Sequence, residues 1–195
     1  MPSKASDKRD RIIKAAIEVF AKNGFYNSKI SEIAKKAGIA DGTIYLYFKN
    51  KDDILISLFE EEMKKIIGRV RKEIDRASDP LEKLRIFTRA HLDILEENRS
   101  LAAVIQIELR QSNKFMKEYT NEKFREYLNI IKDIVEDGRQ RRLIREDVNP
   151  DIAKRLIFGA LDEICTYRVL SSGPRFSVDE AAVQTSDIFI KGMKT

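Results

Sequence analysis

"ISEIAKKAGIADGTIYLYFKNKDDILISLF" occupies residues 30–59, and its punctuation decides the fold. Ile30, Ile33, Ala34 and Ala37 recur at helical spacing and stop at Gly38, which predicts a short helix with Ser28 as a cap candidate and the glycine as its end. A further helix starts near Asp41 and ends by Lys49. Two short helices joined by a tight turn that opens on glycine are a helix-turn-helix. In the second of them Tyr45, Leu46, Tyr47 and Phe48 follow one another. Successive side chains turn by roughly 100°, so no single core covers all four. Ile44 and Phe48, four apart, share the face that packs inward, which leaves Tyr45, Leu46 and Tyr47 to face out beside Lys49 and Lys51.

Working outward, the same periodicity continues almost everywhere, and no segment alternates strictly enough to predict a strand. Ile12, Ile13, Ala16, Val19 and Phe20 form the stripe of a first helix from about Asp7 to Asn23, ended by "NG". Asn50 caps a long helix whose apolar stripe runs from Ile54 to Ile74. In "ASDP" (77–80), Asp79 caps the next helix and Pro80 takes its first position, where a missing N–H costs nothing. Further helices are expected near 80–97, 100–111, 113–141, 150–171 and 177–193. The expected fold is all-α, with a three-helix DNA-binding domain over 1–53 and a larger helical domain over 54–195. "LAAVIQIEL" (101–109) is apolar on every side except Gln106 and Glu108, as a buried helix would be.

Composition removes several alternatives. A chain of 195 residues, 43% hydrophobic and 35% charged, is long enough to build real cores. No apolar run approaches the roughly 18–20 residues that span a bilayer, and the polar start "MPSKASDKRDRIIKAA" has no signal-peptide core, so a cytoplasmic protein is expected. With one cysteine, Cys165, and one histidine, His91, no zinc-like ligand set can be assembled from His and Cys. Neither residue has a recognisable base or nucleophile partner, so no catalytic residue is assigned and no enzyme is expected. The charge is uneven: residues 1–51 carry eleven Lys or Arg against five acids, and the net +5 of the whole leaves −1 for the rest. A basic excess confined to the first quarter points to a polyanion.

The order of turn glycine, Gly-Thr-hydrophobic-Tyr-x-Tyr-Phe and Asn-Lys-acid-acid, behind a stripe like 12–20, resembles the DNA-binding signature of TetR-family transcriptional repressors. The resemblance implies double-stranded DNA as partner, read in the major groove as helix-turn-helix proteins do. It places Asp41, Gly42, Thr43, Tyr45, Leu46 and Tyr47 at DNA-facing positions, makes Lys51 a phosphate-binding lysine, and gives Ser28 and Lys29 backbone contacts. It also implies a homodimer joined by the last two long helices. Ile152, Leu156, Phe158, Leu161, Ile164 and Leu170 in one, and Val183, Ile188, Phe189 and Met193 in the other, are the candidate face. A two-fold dimer implies an inverted-repeat operator.

"IELRQSN" (107–113) and "RLIFGALDE" (155–163), with the stretch from Asp41, are similar to the branch of that family that represses fatty-acid degradation in Bacillus and related bacteria. That branch implies a long-chain acyl-CoA as effector, with no cofactor or metal. Such a ligand needs cationic groups for its phosphates and an apolar tunnel for its chain. Gln106, Arg110 and Asn113 are the candidates for the polar part. Leu101, Val104, Ile105, Phe124, Leu128, Ile131, Phe158 and Leu161 are the candidates for the tunnel, although such positions are more often plain core. Arg168 is left between a phosphate and an acid partner, and His91 and Cys165 read as packing. The nearest rival is a multidrug-type repressor of the same family, sensing another apolar or cationic small molecule. A membrane-binding basic arm is disfavoured because the first helix is short of bulky apolar residues.

Overall fold

A computed structural model of the chain describes residues 4–108, 122–173 and 175–195, the side chains of 4–6, 95 and 108 aside. Arg110 and Asn113 lie outside the described residues. These are nearly all helical: α1 (Lys4–Asn23), α2 (Ile30–Ala37), α3 (Asp41–Ile44), α4 (Lys51–Ile74), α5 (Pro80–Glu97), α6 (Arg99–Ala103), a π-helical stretch Val104–Glu108, α7 (Glu122–Gln140), α8 (Pro150–Leu170) and α9 (Val178–Met193). There is no strand among the described residues, only an isolated antiparallel bridge between Ile144 and Lys194. By their contacts the described residues of Met1–Glu62 and Arg99–Thr120 form one compact unit, and those of Met63–Asn98 and Asn121–Thr195 a second.

In the first unit α1 packs on α2, on α6 and on the π-helical stretch, while α2 packs on α3. Its core uses the predicted stripes: Ile12, Ala16 and Phe20 of α1, Ile33 and Ala34 of α2, and Ile54, Leu55 and Leu58 of α4 are all fully buried. Gly38 closes α2 in the left-handed conformation, φ +66°, where a side chain would be strained. Asn50 Oδ1 accepts from the Asp53 N–H at 2.9 Å, and Asp53 Oδ2 accepts from the Lys49 N–H at 2.8 Å. This reciprocal pair starts α4 at the predicted place.

The second unit packs α9 on α5, α7 on α8 and α5 on α7. Its helix starts follow the predicted chemistry. Asp79 accepts from the Leu81 N–H at 3.2 Å with Pro80 in the first turn, and Asn149 accepts from the N–H groups of Asp151 and Ile152 at 2.9 and 3.3 Å with Pro150 behind it.

Three expectations need correction. The third helix ends at Ile44, not Lys49; beyond it the N–H groups of Leu46 and Tyr47 bond three residues back, to Thr43 and Ile44, so the backbone tightens into a turn. Ser28 does not cap α2. That position falls to Lys29, and the Ser28 hydroxyl instead donates to the Gly24 carbonyl at 2.6 Å, with the Val19 carbonyl at 3.3 Å. Leu161 and Met193 belong to the second unit's core, at 0% and 7% exposure, so they are not available to an interface between subunits.

Candidate nucleic-acid interface and effector site

The turn that follows α3 sorts its side chains as their spacing demands. Ile44 and Phe48 are buried, and the Arg9 guanidinium lies 5.1 Å from the centroid of the Phe48 ring. Tyr45 and Leu46 stand 58% and 80% exposed, Tyr47 is half-buried, and Asp41 and Gly42 are exposed with Thr43 half-buried between them and Ile44. A Cβ at Gly42 would meet open space. Neither α2 nor α3 has a side-chain cap on its first N–H groups; at α2 only the Glu32 carboxylate reaches back, to the Lys29 N–H at 2.8 Å. The result is a buried apolar floor with two large side chains raised above it.

Two residues expected on DNA also have partners within the protein. Ser28 is 4% exposed and its hydroxyl is spent on the end of α1. The Lys51 ammonium donates to the carbonyls of Tyr26 and Ser28 at 2.9 and 3.0 Å and sits 4.7 Å from the centroid of the Phe25 ring. Tyr26, which sequence reasoning passed over, is 57% exposed in the turn before α2. A bulky residue between a buried phenylalanine and an asparagine, just after the glycine that ends a helix, was the available signal.

The effector candidates divide between the two units. Leu101, Val104, Ile105 and Gln106 lie in the segment that joins the first unit; the first, second and fourth are buried and Ile105 is half-buried. Phe124, Leu128, Ile131, Phe158 and Leu161 lie in the second, where the Phe124 and Phe158 rings meet edge to face at 5.1 Å. Phe158 in turn stands perpendicular to the His91 ring at 5.8 Å. His91 Nδ1 lies 2.8 Å from the Tyr127 hydroxyl, and Phe87 packs 5.1 Å from the Tyr127 ring. Burial drives the His91 pKa down to about 4, against a weaker opposing pull from the Asp162 carboxylate, and drives the Tyr127 phenol well above its usual range. At neutral pH the pair is an uncharged hydrogen bond inside an aromatic cluster. Sequence reasoning took Phe158 and Phe124 and set Phe87 beside His91 but missed Tyr127; a buried tyrosine needs a hydroxyl partner, and the sole histidine was the clue.

Burial also lifts the Cys165 thiol to about 12, which denies it thiolate chemistry at neutral pH. Arg168 donates to the Phe176 carbonyl and so anchors the loop before α9. Among the described residues no three His, Cys, Asp or Glu are grouped to hold a metal ion, and no helix is long and apolar enough to cross a membrane. A cleft of about 420 Å³ beside the end of α7 is lined by Glu136, Arg139, Gln140 and Glu146, a polar wall unsuited to an alkyl chain.

Large apolar side chains that remain exposed fall into two groups. Tyr26, Tyr45 and Leu46 belong to the helix-turn-helix region; Ile152, Leu156, Leu170, Val183 and Ile188 belong to α8 and α9.

The chain matches two family models end to end: bacterial regulatory proteins of the tetR family over residues 12–58, and the YsiA-like protein C-terminal region over 59–192. It is 46% identical over 161 residues to the fatty acid metabolism regulator protein of Bacillus subtilis, covering 83% of each chain. Its fold superposes on the fatty acid degradation regulator FadR of Bacillus halodurans with a TM-score of 0.87 at 37% identity, over 95% of this chain and 99% of that one. FadR of Bacillus subtilis in complex with stearoyl-CoA gives the same TM-score at 40% identity, over 94% and 98%. With the recognition turn, the buried α1–α2 stripe and both halves of the sequence agreeing, the chain belongs to the TetR family of bacterial transcriptional regulators.

Proposed function

We propose that this regulator represses fatty-acid degradation genes, binding an inverted-repeat operator as a two-fold dimer and leaving it when a long-chain acyl-CoA binds. The observation that carries the reading is the 46% identity to a fatty acid metabolism regulator, which extends over most of both chains. The likeness to a relative solved with stearoyl-CoA supports the thioester as effector. The two groups of exposed apolar side chains suit the two partners. Tyr45, Leu46 and Tyr47, with Asp41, Gly42 and Thr43 before them, would face the operator, and Lys29 would meet its backbone. Ile152 and Leu156, one helical turn apart, with Leu170, Val183 and Ile188, would pair with the same face of a second copy, as two-fold interfaces require.

Within the second unit, Phe124, Leu128, Ile131, Phe158 and Leu161 would receive the acyl chain. Gln106, Arg110 and Asn113 remain the proposed polar contacts, and Leu101, Val104 and Ile105 apolar ones. α4 contributes residues to both units, which makes it the proposed lever. Ligand must bind the two states unequally, and a tenfold loss of DNA affinity needs about 1.4 kcal/mol of such difference.

The test is fluorescence anisotropy of a labelled inverted-repeat duplex at fixed salt, titrated with the protein alone and with a long-chain acyl-CoA, free fatty acid, CoA or a cationic dye. Release by the thioester alone is the expected result. Release by the dye and not by the thioester would transfer the protein to the multidrug type, and binding indifferent to all four would remove the effector assignment.

A further inference from the structure

His91 of α5 and Tyr127 of α7 meet in the interior of the second unit, at 6% and 2% exposure, with 2.8 Å between Nδ1 and the phenol oxygen. Among the described residues neither side chain makes another hydrogen bond. A neutral imidazole carries one N–H and a phenol one O–H, so the pair holds two donors and uses one between them. If the phenol donates to Nδ1, the Nε2–H is left over; if Nδ1–H donates to the phenol oxygen, the phenol O–H is left over. Either tautomer leaves one donor for a third group.

The walls around that donor are aromatic. The Phe87 ring stacks on the imidazole with 6.3 Å between centroids, and Tyr127 does so at 5.8 Å. Phe158 stands perpendicular to the imidazole at 5.8 Å, with Phe124 edge to face against it at 5.1 Å. A donor left bare among such rings is costly, and it suits a largely apolar ligand that carries one neutral acceptor. A charged acceptor suits it less. The Asp162 carboxylate already pulls the imidazole toward its charged form, so a ligand carboxylate would bring a second negative charge beside the first.

We propose that the His91–Tyr127 pair donates a hydrogen bond to the thioester carbonyl of the acyl-CoA effector, and so distinguishes an acyl thioester from an alkyl chain of the same length. The proposal rests on the acyl-CoA reading above and names the group that reads the carbonyl. Phe158, one of the side chains proposed to receive the acyl chain, lies against the same imidazole. Chain and carbonyl would therefore be read by adjoining side chains.

The test compares hexadecanoyl-CoA with S-hexadecyl-CoA, a thioether that keeps the chain, the sulfur and the nucleotide but lacks the carbonyl oxygen. Calorimetry on the full chain gives both dissociation constants for the wild type, His91→Phe, Tyr127→Phe and the double variant. Infrared difference spectra with an isotope-labelled thioester carbonyl report the hydrogen bond directly. A site built to hydrogen-bond a ligand group rejects the analogue that lacks it. Wild type should bind the thioester about tenfold or more tightly than the thioether, and the carbonyl band should move to lower wavenumber on binding.

In the double variant the two constants should converge and the band should return upward. A purely structural role for the pair would weaken both ligands alike and leave their ratio at the wild-type value, which would overturn the proposal. If the double variant does not fold, the single variants decide: one of the two side chains carries the leftover donor, so at least one variant must lose the preference. A preference kept in both would overturn the proposal. Wild-type affinity equal for the two compounds, with an unmoved band, would overturn it too and leave the effector reading intact. Failure of wild type to bind either compound would remove the acyl-CoA reading and this proposal with it.

Discussion

The two units differ in how they treat helix starts and aromatic rings, although the first also caps α4 with Asn50. The first leaves α2 and α3 without side-chain caps and raises Tyr45 and Leu46 above a buried floor; the second caps α5, α8 and α9 with Asp79, Asn149 and Ser177 and packs Phe87, Tyr127 and Phe158 around His91. A surface meant for a polyanion keeps donors and aromatic faces open, because the partner supplies the missing hydrogen bonds and apolar contact. The interior of the second unit pairs His91 with Tyr127, because a polar group left bare in low dielectric is costly, although Thr88 Oγ1 and Arg139 Nε are buried there with no hydrogen-bond partner among the described residues. The contrast yields predictions that can break it, beginning where the most surface is buried.

Phe87 is fully buried beside the Tyr127 ring, so Phe87→Ala should destabilise the protein by about 3–5 kcal/mol. Denaturant melts with an unchanged slope would show it. A loss under about 1 kcal/mol would mean that the second unit's aromatic cluster is a loose cavity wall and not core. Next in size is the titration of His91. Its folded pKa of about 4 lies below the unfolded value of 6.5, so between those values the unfolded chain binds the proton and the native one does not. Stability is full above pH 6.5 and falls as the pH drops toward 4, by roughly 3 kcal/mol at most from this group. His91→Gln keeps a hydrogen-bonding side chain without a titrating ring. The difference between wild-type and variant stability should therefore vary over that window and flatten outside it; a difference independent of pH would mean the imidazole is not held neutral by burial.

On the recognition side, Tyr45→Ala should leave stability within about 0.5 kcal/mol, as expected for an exposed position. It should weaken operator binding by about 1–3 kcal/mol. Calorimetry and anisotropy on one preparation decide this, and a variant that loses stability instead would return Tyr45 to the core and erase the contrast.

Much of the first unit was legible because its instructions are local. Gly38 needs φ > 0 to end α2, Ile44 and Phe48 fall one turn apart, and Asn50 with Asp53 starts α4, each within a few residues. The caps at Asp79 and Asn149 could be read for the same reason. What escaped was decided across the chain. The Lys51 ammonium is spent on carbonyls more than twenty residues earlier, at Tyr26 and Ser28, and no spacing rule reports such a partner. Tyr127 finds His91 across two helices, and Leu161 turns into the core although its neighbour Leu156, five residues before, does not. An apolar helix has more hydrophobic side chains than one interface can use, and periodicity alone does not say which partner claims which.

The smallest effect is also the sharpest, because it should move the two properties of the first unit in opposite directions. Ala40 is the N-cap of α3, in extended conformation with φ −70° and ψ 145°, and it offers no side-chain acceptor. Asp is a preferred residue at such a position, so Ala40→Asp should gain about 0.5–1 kcal/mol of stability by accepting from the first N–H groups of the turn. The same carboxylate would stand two residues before Gly42, on the surface proposed to meet phosphate. Repulsion there should lower operator affinity at low salt and fade as the Debye length contracts, from about 10 Å at 0.1 M to about 3 Å at 1 M. Ala40→Asn supplies the acceptor without the charge and should keep the stability gain while sparing affinity. Equal loss of affinity in both variants would mean that the open helix start is needed as such, so that capping rather than charge interferes. Unchanged affinity in both would move the DNA-facing surface away from the start of α3.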